Sequence, residues 1–222
     1  RVVRVQNSSV SNATESGSAF VIKNTTDYTN NYATGQASVG LWAARTAGVH
    51  GNSLQISTCP SATAYEEVNK TTVADAAMAV GDTVVTVTSS TGISVGDIVN
   101  FGDQFEYRVV SVATNDLNIV RKEEPAYYGT SESSGLHEAP TNGAQVRRRW
   151  KYYDLFNKAP GTSPFAQAKS GVNDELHIAV IDEDGEITGT KGDVLETFEA
   201  VSKASDAKDA QGNVNYYPDV IY

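Results

Sequence analysis

The chain has 222 residues, 40% of them hydrophobic, and a formal net charge of −10 at pH 7. This length and apolar content allow one large or two small domains with a sizeable buried core. The sequence has no apolar run of about eighteen residues and no charged-then-apolar leader, so neither a membrane span nor a secretory signal is predicted. It starts with Arg rather than Met and ends in a strand-like segment, so we expect a piece of a longer polypeptide.

The first 72 residues alternate short apolar segments with polar loops. The pattern predicts strands at residues 2–5, 18–23 and 53–58 and a short helical face at residues 36–47. Residues 24–32 are rich in Thr, Asn and Asp, which predicts a loop. The single cysteine, Cys59, cannot form an internal disulfide and is expected to be buried.

Residues 73–125 have a different texture, with short β-type runs separated by Gly or Asn turns at near-regular spacing. The runs are 81–88, 96–101, 105–112 and 116–121. This spacing predicts a small all-β barrel or sandwich. In the turn from Ser94 to Asp97, the glycine supplies backbone freedom and the Asp can accept hydrogen bonds from nearby amides.

Residues 126–222 contain a polar loop, a predicted strand, a proline-rich break and then a strand-rich end. The predicted elements are a strand at 145–153, a helical turn at 165–169, an apolar strand at 175–181 and a tight, exposed acidic turn at 182–186. Residues 194–201 fit a helical stripe, while their β-branched content also permits a strand.

The negative charge is concentrated at the end of the chain. Residues 171–222 hold twelve Asp or Glu against three Lys, a net charge of −9, whereas residues 1–170 hold fifteen acidic and fourteen basic residues. This bias disfavours nucleic acid or an anionic membrane as a partner and suits a basic neighbour. A solvated acidic face that aids solubility is the simpler alternative.

The one basic cluster is Arg147, Arg148 and Arg149, followed by aromatic residues. Arginines beside aromatics can bind nucleic acid. Without a wider basic field, we expect an intersubunit ion pair or an ordinary strand surface instead.

Signatures of catalysis, cofactor binding and metal binding are missing from the sequence. His50, His137 and His177 lie in separate segments without a Cys pair, which does not support a metal site. The acidic turn lacks the order of residues of a calcium loop, and neither a Walker phosphate loop nor a nucleophile elbow occurs. We therefore expect no enzyme, no cofactor and no metal.

Four segments carry the most distinctive pattern. They are NDELHIAVIDEDG at 173–185, GTKGDVLETFE at 189–199, NYYPDVI at 215–221 and ARTAGVHGNSLQI at 44–56. These segments resemble the tail sheath protein of contractile-tailed, T-even-like bacteriophages. In the last of them, Ala47 stands where the sheath motif has Pro and His50 where it usually has Trp.

The resemblance implies an α+β fold with a mixed-sheet sheath core and few short helices. Residues 1–72 and 126–222 would form the two parts of this core, and residues 73–125 would be the inserted β-rich domain. It also favours a strand at 194–201. Leu54, Ile56, Leu176, Ile178 and Val180 would form the strand scaffold.

The resemblance further implies a structural virion protein without catalytic activity. Such a protein polymerises in stacked hexameric rings around the phage tail tube and contracts to drive the tube through the host envelope. The implied partners are copies of itself, the tail tube protein and the baseplate and tail terminator proteins, with no nucleic acid and no membrane. It would reside in the phage tail after assembly in the host cytoplasm.

Two groups of residues are expected at subunit interfaces: Arg147, Arg148 and Arg149 on one side, and Glu196 and Glu199 on the other. The alternative function is a virion binding module, either a receptor-binding or a capsid-decoration domain, in which the inserted β unit recognises host glycan. Exposed aromatic residues in its loops would favour that alternative. Phe101, Phe105 and Tyr107 are instead expected in the strand core.

Overall fold

The computed structural model describes residues 25–31, 42, 51, 53–122 and 135–221. The predicted strands at 2–5 and 18–23 lie outside these residues, as does the predicted helical face at 36–47 except for Trp42. The chain forms two compact units: a sheet unit, Arg1–Thr58 with Ser163–Tyr222, and a barrel unit, Cys59–Thr162. The α+β class is confirmed, with two antiparallel sheets and few short helices.

The described elements are short, and strands dominate. The helices are α1 (Thr25–Asn31), α2 (Ala62–Tyr65), α3 (Pro164–Ala168) and α4 (Tyr217–Val220), with a 3-10 helix at Tyr153–Leu155. The strands are β1 (Leu54–Cys59), β2 (Glu66–Thr72), β3 (Val84–Thr86), β4 (Ile98–Asn100), β5 (Tyr107–Ala113), β6 (Asp116–Arg121), β7 (Gln145–Arg149), β8 (Glu175–Asp182) and β9 (Asp193–Ser202).

The barrel unit contains a six-stranded sheet with the order β2-β7-β4-β5-β6-β3. Its two outer strands meet through an antiparallel bridge between Val73 and Val87. The Thr88 amide donates to the Thr72 carbonyl at 2.8 Å, and the Ala74 amide donates to the Thr86 carbonyl at 2.9 Å. These bonds close the sheet into a barrel, which pairs the backbone groups that an open edge would expose.

Alternating side chains fill the barrel interior. On β5, Tyr107 and Val109 are fully buried, and on β6 Leu117 and Ile119 are fully buried. This period of two is what a strand with one buried face requires. The remaining buried members of the cluster are Val73, Val85, Val87, Ile93, Val99, Phe101, Leu136 and Val146.

The barrel unit, Cys59–Thr162, includes more of the chain than the predicted insertion of residues 73–125. Strands β2 and β7 lie on either side of that insertion in sequence, and they pair with each other in the barrel. Strand β7 ends at Arg149 rather than at residue 153, since Tyr153–Leu155 is a 3-10 helix. Strand β2 was not predicted, because its sequence EEVNKTT is mostly polar.

The sheet unit contains a three-stranded sheet with the order β1-β8-β9. The central strand β8 is buried on both faces except at Val180, which is partly exposed. Leu176 and Ile178 of β8 form the core with Val201 of β9. The residues packed against this core are Trp42, Ile56, Phe198, Tyr217, Val220 and Ile221.

Residues 194–201 form a strand, as the resemblance favoured, because β9 pairs antiparallel with β8. A bulge interrupts this pairing: Leu176 lies opposite Val201, but Ile178 lies opposite Phe198. Ala200 has the left-handed φ of 52° at this point. The fully buried His177 compensates, since its Nδ1 accepts a hydrogen bond from the Ala200 amide at 2.9 Å.

The chain re-enters the sheet unit at a buried cluster around Asp174. This carboxylate accepts hydrogen bonds from the Ser163 amide at 2.7 Å and from the Ser163 hydroxyl at 2.8 Å. It also accepts from the Ser202 hydroxyl at 2.5 Å. Burial opposes ionisation, but these donors hold the pKa of Asp174 below its ordinary value. The Ser163 hydroxyl also caps α3 by accepting from the Ala166 amide.

Two local predictions were wrong. Residues 25–31 form helix α1 rather than a loop. Helix propensities differ by only a few tenths of a kcal/mol for most residues, so Thr and Asn disfavour a helix weakly. The acidic turn is also longer and less exposed than predicted, because Asp182 is a fully buried part of β8 and the connection to β9 spans residues 183–192.

Replacing His177 with Leu is expected to lower the free energy of unfolding by about 1–3 kcal/mol, because the Ala200 amide loses its acceptor. Urea unfolding followed by circular dichroism measures this change. Thr197→Ala, on an exposed position of β9, is the control and should stay within about 0.5 kcal/mol of the parent. An equal stability of the two variants would contradict the assigned role of His177.

Candidate interaction surface

Arg148 forms a buried ion pair with Asp97. Its Nε and Nη2 donate to the two carboxylate oxygens at 2.8 and 3.1 Å, and its Nη1 donates to the Ala64 carbonyl at 2.6 Å. The side chains of Arg148 and Asp97 are only 12% and 4% exposed. Such two-point pairing uses the planar fork of guanidinium, which a lysine cannot reproduce.

Asp97 occupies the turn whose glycine and aspartate were singled out in the sequence. Gly96 has the left-handed φ of 94°, and the Asp97 carboxylate accepts from the Ser94 amide at 2.8 Å. The predicted amide bonding by this Asp is confirmed. The same carboxylate therefore shapes the turn before β4 and binds Arg148 of β7.

Arg147 and Arg149 pair with carboxylates on neighbouring strands. The Nε atoms of Arg149 and Arg147 lie 3.0 and 3.4 Å from the same oxygen of Glu66. Arg149 also donates to Glu106. All three arginines thus contact carboxylates of their own chain, within the barrel unit. Their expected role between subunits stays a prediction.

Glu106 is the centre of a second charged cluster. It accepts from the Tyr153 hydroxyl at 2.7 Å and from Lys122 Nζ at 3.1 Å. Burial opposes ionisation, but the hydrogen bonds from Tyr153 and Lys122 and the nearby Arg149 hold the pKa of Glu106 below its ordinary value. Burial likewise opposes charge on Lys122, and its bonds to Tyr153 and Glu106 raise its pKa. Both groups are therefore charged at neutral pH.

A cavity of about 530 Å³ opens on the barrel wall beside these clusters. We call it the barrel groove. Its lining residues are Val95, Gly96, Ile98, Arg108, Val109, Val110, Lys122, Lys151, Tyr152 and Asp154. Three of them are basic and one is acidic, so the groove combines apolar walls with a positive rim.

Lys151 and Tyr152 form one side of the barrel groove. The Lys151 ammonium lies 4.9 Å from the centre of the Tyr152 ring, a cation–π distance. The Lys151 stem passes so close to Gly96 that a Cβ there would lie 2.6 Å from its Cδ. Tyr152 is only 7% exposed, and its hydroxyl is buried without a hydrogen-bond partner among the residues that the structure describes.

The other expected interface residues, Glu196 and Glu199, lie on β9 of the sheet unit. Both are exposed, as an interaction with another molecule requires. They and the three arginines belong to different units.

Asp182 organises the loop between β8 and β9. Its carboxylate accepts from the Ser53 hydroxyl and from the amides of Gly185, Ile187 and Thr188, the last two at 3.0 and 2.7 Å. Burial opposes ionisation, but the hydrogen bonds from Ser53 and the loop lower the pKa of Asp182 to about 2. Groups of the chain itself therefore fill the hydrogen-bonding positions of this carboxylate.

The remaining reactive residues are held in packed surroundings. Cys59 is fully buried, as predicted, and burial raises the pKa of its thiol to about 11, which disfavours the thiolate at neutral pH. His137 stacks on Phe105 with ring centres 3.9 Å apart. His50 lies outside the described residues. Within residues 53–122 and 135–221, no three His, Cys, Asp or Glu side chains lie close enough together to hold a metal ion.

Three aromatic residues of the barrel belong to its core or pack against it. Phe101 and Tyr107 are buried, and Phe105 is half-buried against His137. Phe101 and Tyr107 therefore belong to the core, whereas Phe105 lies between β4 and β5 and packs against it. The glycan-binding alternative, which exposed loop aromatics would favour, stays a prediction. In the described part of the chain, no helix is long and apolar enough to cross a membrane.

Sequence reasoning found the arginines but missed the groups around them. Glu66, Glu106 and Lys122 lie far from residues 147–149 in sequence, and no local pattern links them. Tyr152 was included only among the aromatic residues that follow the arginines in sequence. A polar residue in the turn directly before a buried strand, as Asp97 stands before β4, was the one available signal.

Comparison of the chain with protein-family models, with curated proteins and with solved structures found no match. The likeness to tail sheath proteins therefore rests on the four sequence segments themselves.

Replacing Asp97 with Asn is expected to lower the free energy of unfolding by about 3–5 kcal/mol, because it leaves the Arg148 guanidinium buried without a counter-charge. Arg148→Met should cost a similar amount, since it leaves the carboxylate unpaired. Thermal or urea unfolding measures both. Arg147→Met is the matched control, because its side chain is 41% exposed and should contribute about 0–1 kcal/mol. Equal losses of stability for Arg147→Met and Arg148→Met would contradict the larger contribution assigned to Arg148.

Asp182 is expected to make stability sensitive to acid. Its pKa is about 2 in the folded chain and about 3.9 when unfolded, so its contribution is complete above about pH 5 and is lost as the pH falls through about 2. Asp182→Asn should therefore unfold at a lower temperature than the parent at pH 6, and this gap should close near pH 2. Glu186→Gln, at an exposed loop position, is the control and should show no such gap. A gap that is independent of pH would contradict this assignment.

Proposed function

We propose that this chain is part of the tail sheath subunit of a contractile-tailed, T-even-like bacteriophage. The subunit polymerises in stacked hexameric rings around the tail tube and contracts to drive the tube through the host envelope. It resides in the virion tail, assembled in the host cytoplasm. Its partners are copies of itself, the tail tube protein and the baseplate and tail terminator proteins.

One observation carries the proposal: the described parts of the segments that resemble sheath proteins lie in one folded unit. Residues 44–56 end in β1, residues 173–199 contain β8 and β9, and residues 215–221 contain α4. Strands β1, β8 and β9 are neighbours in one sheet, and α4 residues pack on its core. The barrel unit separates these segments in sequence, yet it is a compact unit of its own. A resemblance confined to one folded unit is what descent from a common domain predicts.

The proposed activity is mechanical rather than chemical. The extended array is metastable, and contraction releases free energy as subunits rotate and form further contacts. Neighbours stay joined during this motion when an arm of one subunit adds a strand to the sheet of the next, since main-chain hydrogen bonds tolerate a changing angle at a hinge. The sheet unit supplies sheet strands for such a contact. No reaction of bound substrate is required.

Electron microscopy of the purified full-length protein tests the proposal. Long hollow tubes are the expected result, because sheath subunits associate head to tail along a helical path. On virions, an antibody against the barrel unit should label the outer tail along its whole length. Discrete monomers at high concentration, or labelling confined to the capsid or the tail tip, would contradict the proposal and favour a binding module.

A further inference from the structure

We propose that the barrel groove binds strand β9 of a second copy of this chain, with Glu196 paired to Lys151 and to the hydroxyl of Tyr152. This inference rests on the proposed self-assembly and specifies which surfaces meet. In this inference, the basic side of the contact between subunits is the barrel groove rather than the three arginines expected from the sequence.

The cations of this region differ in how far the chain neutralises them. Arg147, Arg148 and Arg149 each lie within 3.4 Å of a carboxylate oxygen of the barrel unit. Lys122 pairs with Glu106 at 3.1 Å. Lys151, by contrast, is exposed and has no carboxylate partner within the described part of the chain. Among these five cations, Lys151 is therefore the one that is available to an external anion.

The unpaired hydroxyl of Tyr152 is a second, independent indication that the groove binds a partner. A buried hydroxyl without a hydrogen bond is unfavourable, and natural proteins rarely keep one without a reason. This hydroxyl belongs to a residue that is 93% buried and lines the groove next to Lys151. An ionised carboxylate is an acceptor only, so a single carboxylate can satisfy the phenol and the ammonium together.

The chain itself carries the matching surface. Residues 171–222 have twelve acidic residues against three lysines. Among the exposed carboxylates of this segment, Glu196 lies on an extended strand and has no ion pair in the described residues. Val194, two positions before it, is 38% exposed and suits the apolar walls made by Val95 and Val110. A strand with an acidic and an apolar side chain therefore complements this groove.

Two other acidic residues of this segment, Asp182 and Asp184, fit the groove less well. The Asp182 carboxylate is fully buried and saturated by Ser53 and by amides of its own loop. Asp184 also contacts Ser53 and accepts from the Glu186 amide. In an assembled tail the acidic segment of a neighbour is present at very high local concentration, so a weak contact repeated along the lattice is sufficient.

Cross-linking detects the contact directly. Equal amounts of ¹⁴N-labelled and ¹⁵N-labelled full-length chain are assembled and treated with a carbodiimide, which joins lysine amines to carboxylates in contact. We expect a Lys151–Glu196 cross-link in mixed-isotope form, which proves that it joins two copies. A cross-link found only within single-isotope chains would overturn the inference.

Charge reversal tests whether the contact supports assembly. Lys151→Glu and Glu196→Lys should each raise the concentration at which half the chains sediment as assemblies by about fivefold. The double variant, with both charges exchanged, should return close to the parent value. Tyr152→Phe keeps the ring and removes only the hydroxyl acting as donor, so it should weaken assembly without lowering the thermal midpoint. Lys191→Glu, an equal charge change in an exposed loop, is the control.

The outcomes separate the two proposals. If the parent chain forms tubes and Lys151→Glu and Tyr152→Phe assemble like it, the groove contact is excluded while the sheath function stands. If the parent chain forms no assembly at any concentration, the sheath function fails and the groove contact fails with it. Loss of assembly by Lys151→Glu together with rescue by Glu196→Lys supports both.

Discussion

The barrel unit depends on the buried pair between Arg148 and Asp97. It joins β7, the turn before β4 and the carbonyl of Ala64 next to β2. Strands β2 and β7 are the first and last strands of the barrel in sequence, and β4 pairs with β7. The pair is favourable only because every polar group in it is satisfied, since a charge buried without its partner destabilises a fold strongly. Gly96, Asp97 and Arg148 therefore act together to hold the turn before β4 against β7.

The sheet unit also buries polar side chains, in this case on β8. A strand buried on both faces cannot expose its polar residues, yet β8 contains His177 and ends with Asp182, both fully buried. Each is matched by backbone donors: the amide at the β9 bulge for the histidine, and the loop amides for the aspartate. Burying these groups without partners would be unfavourable. The bulge and the long loop thus supply the donors that these two buried side chains require.

The pattern of paired and unpaired charges connects the fold with the proposed assembly. Most cations of the barrel unit are neutralised where they stand, so they stabilise the subunit rather than attract a partner. The barrel groove differs, since it holds an exposed lysine beside a buried, unpaired phenol. Groups left unsatisfied inside one subunit can be satisfied by another, and this makes association specific. In the proposed contracting lattice, such contacts would break and form again without unfolding the subunit.

The sequence by itself determined the short strands of residues 81–121, the turn at Gly96 and the apolar strand β8, because period-two burial and turn residues are local signals. The tertiary structure decided which strands pair. It assigned β7 to the barrel with β2, chose a strand for β9 through its pairing with β8, and turned Asp182 inward. It also brought Arg148 to Asp97, 51 positions earlier in the chain. Local patterns record which face of a segment is buried, but they do not record which distant segment covers it.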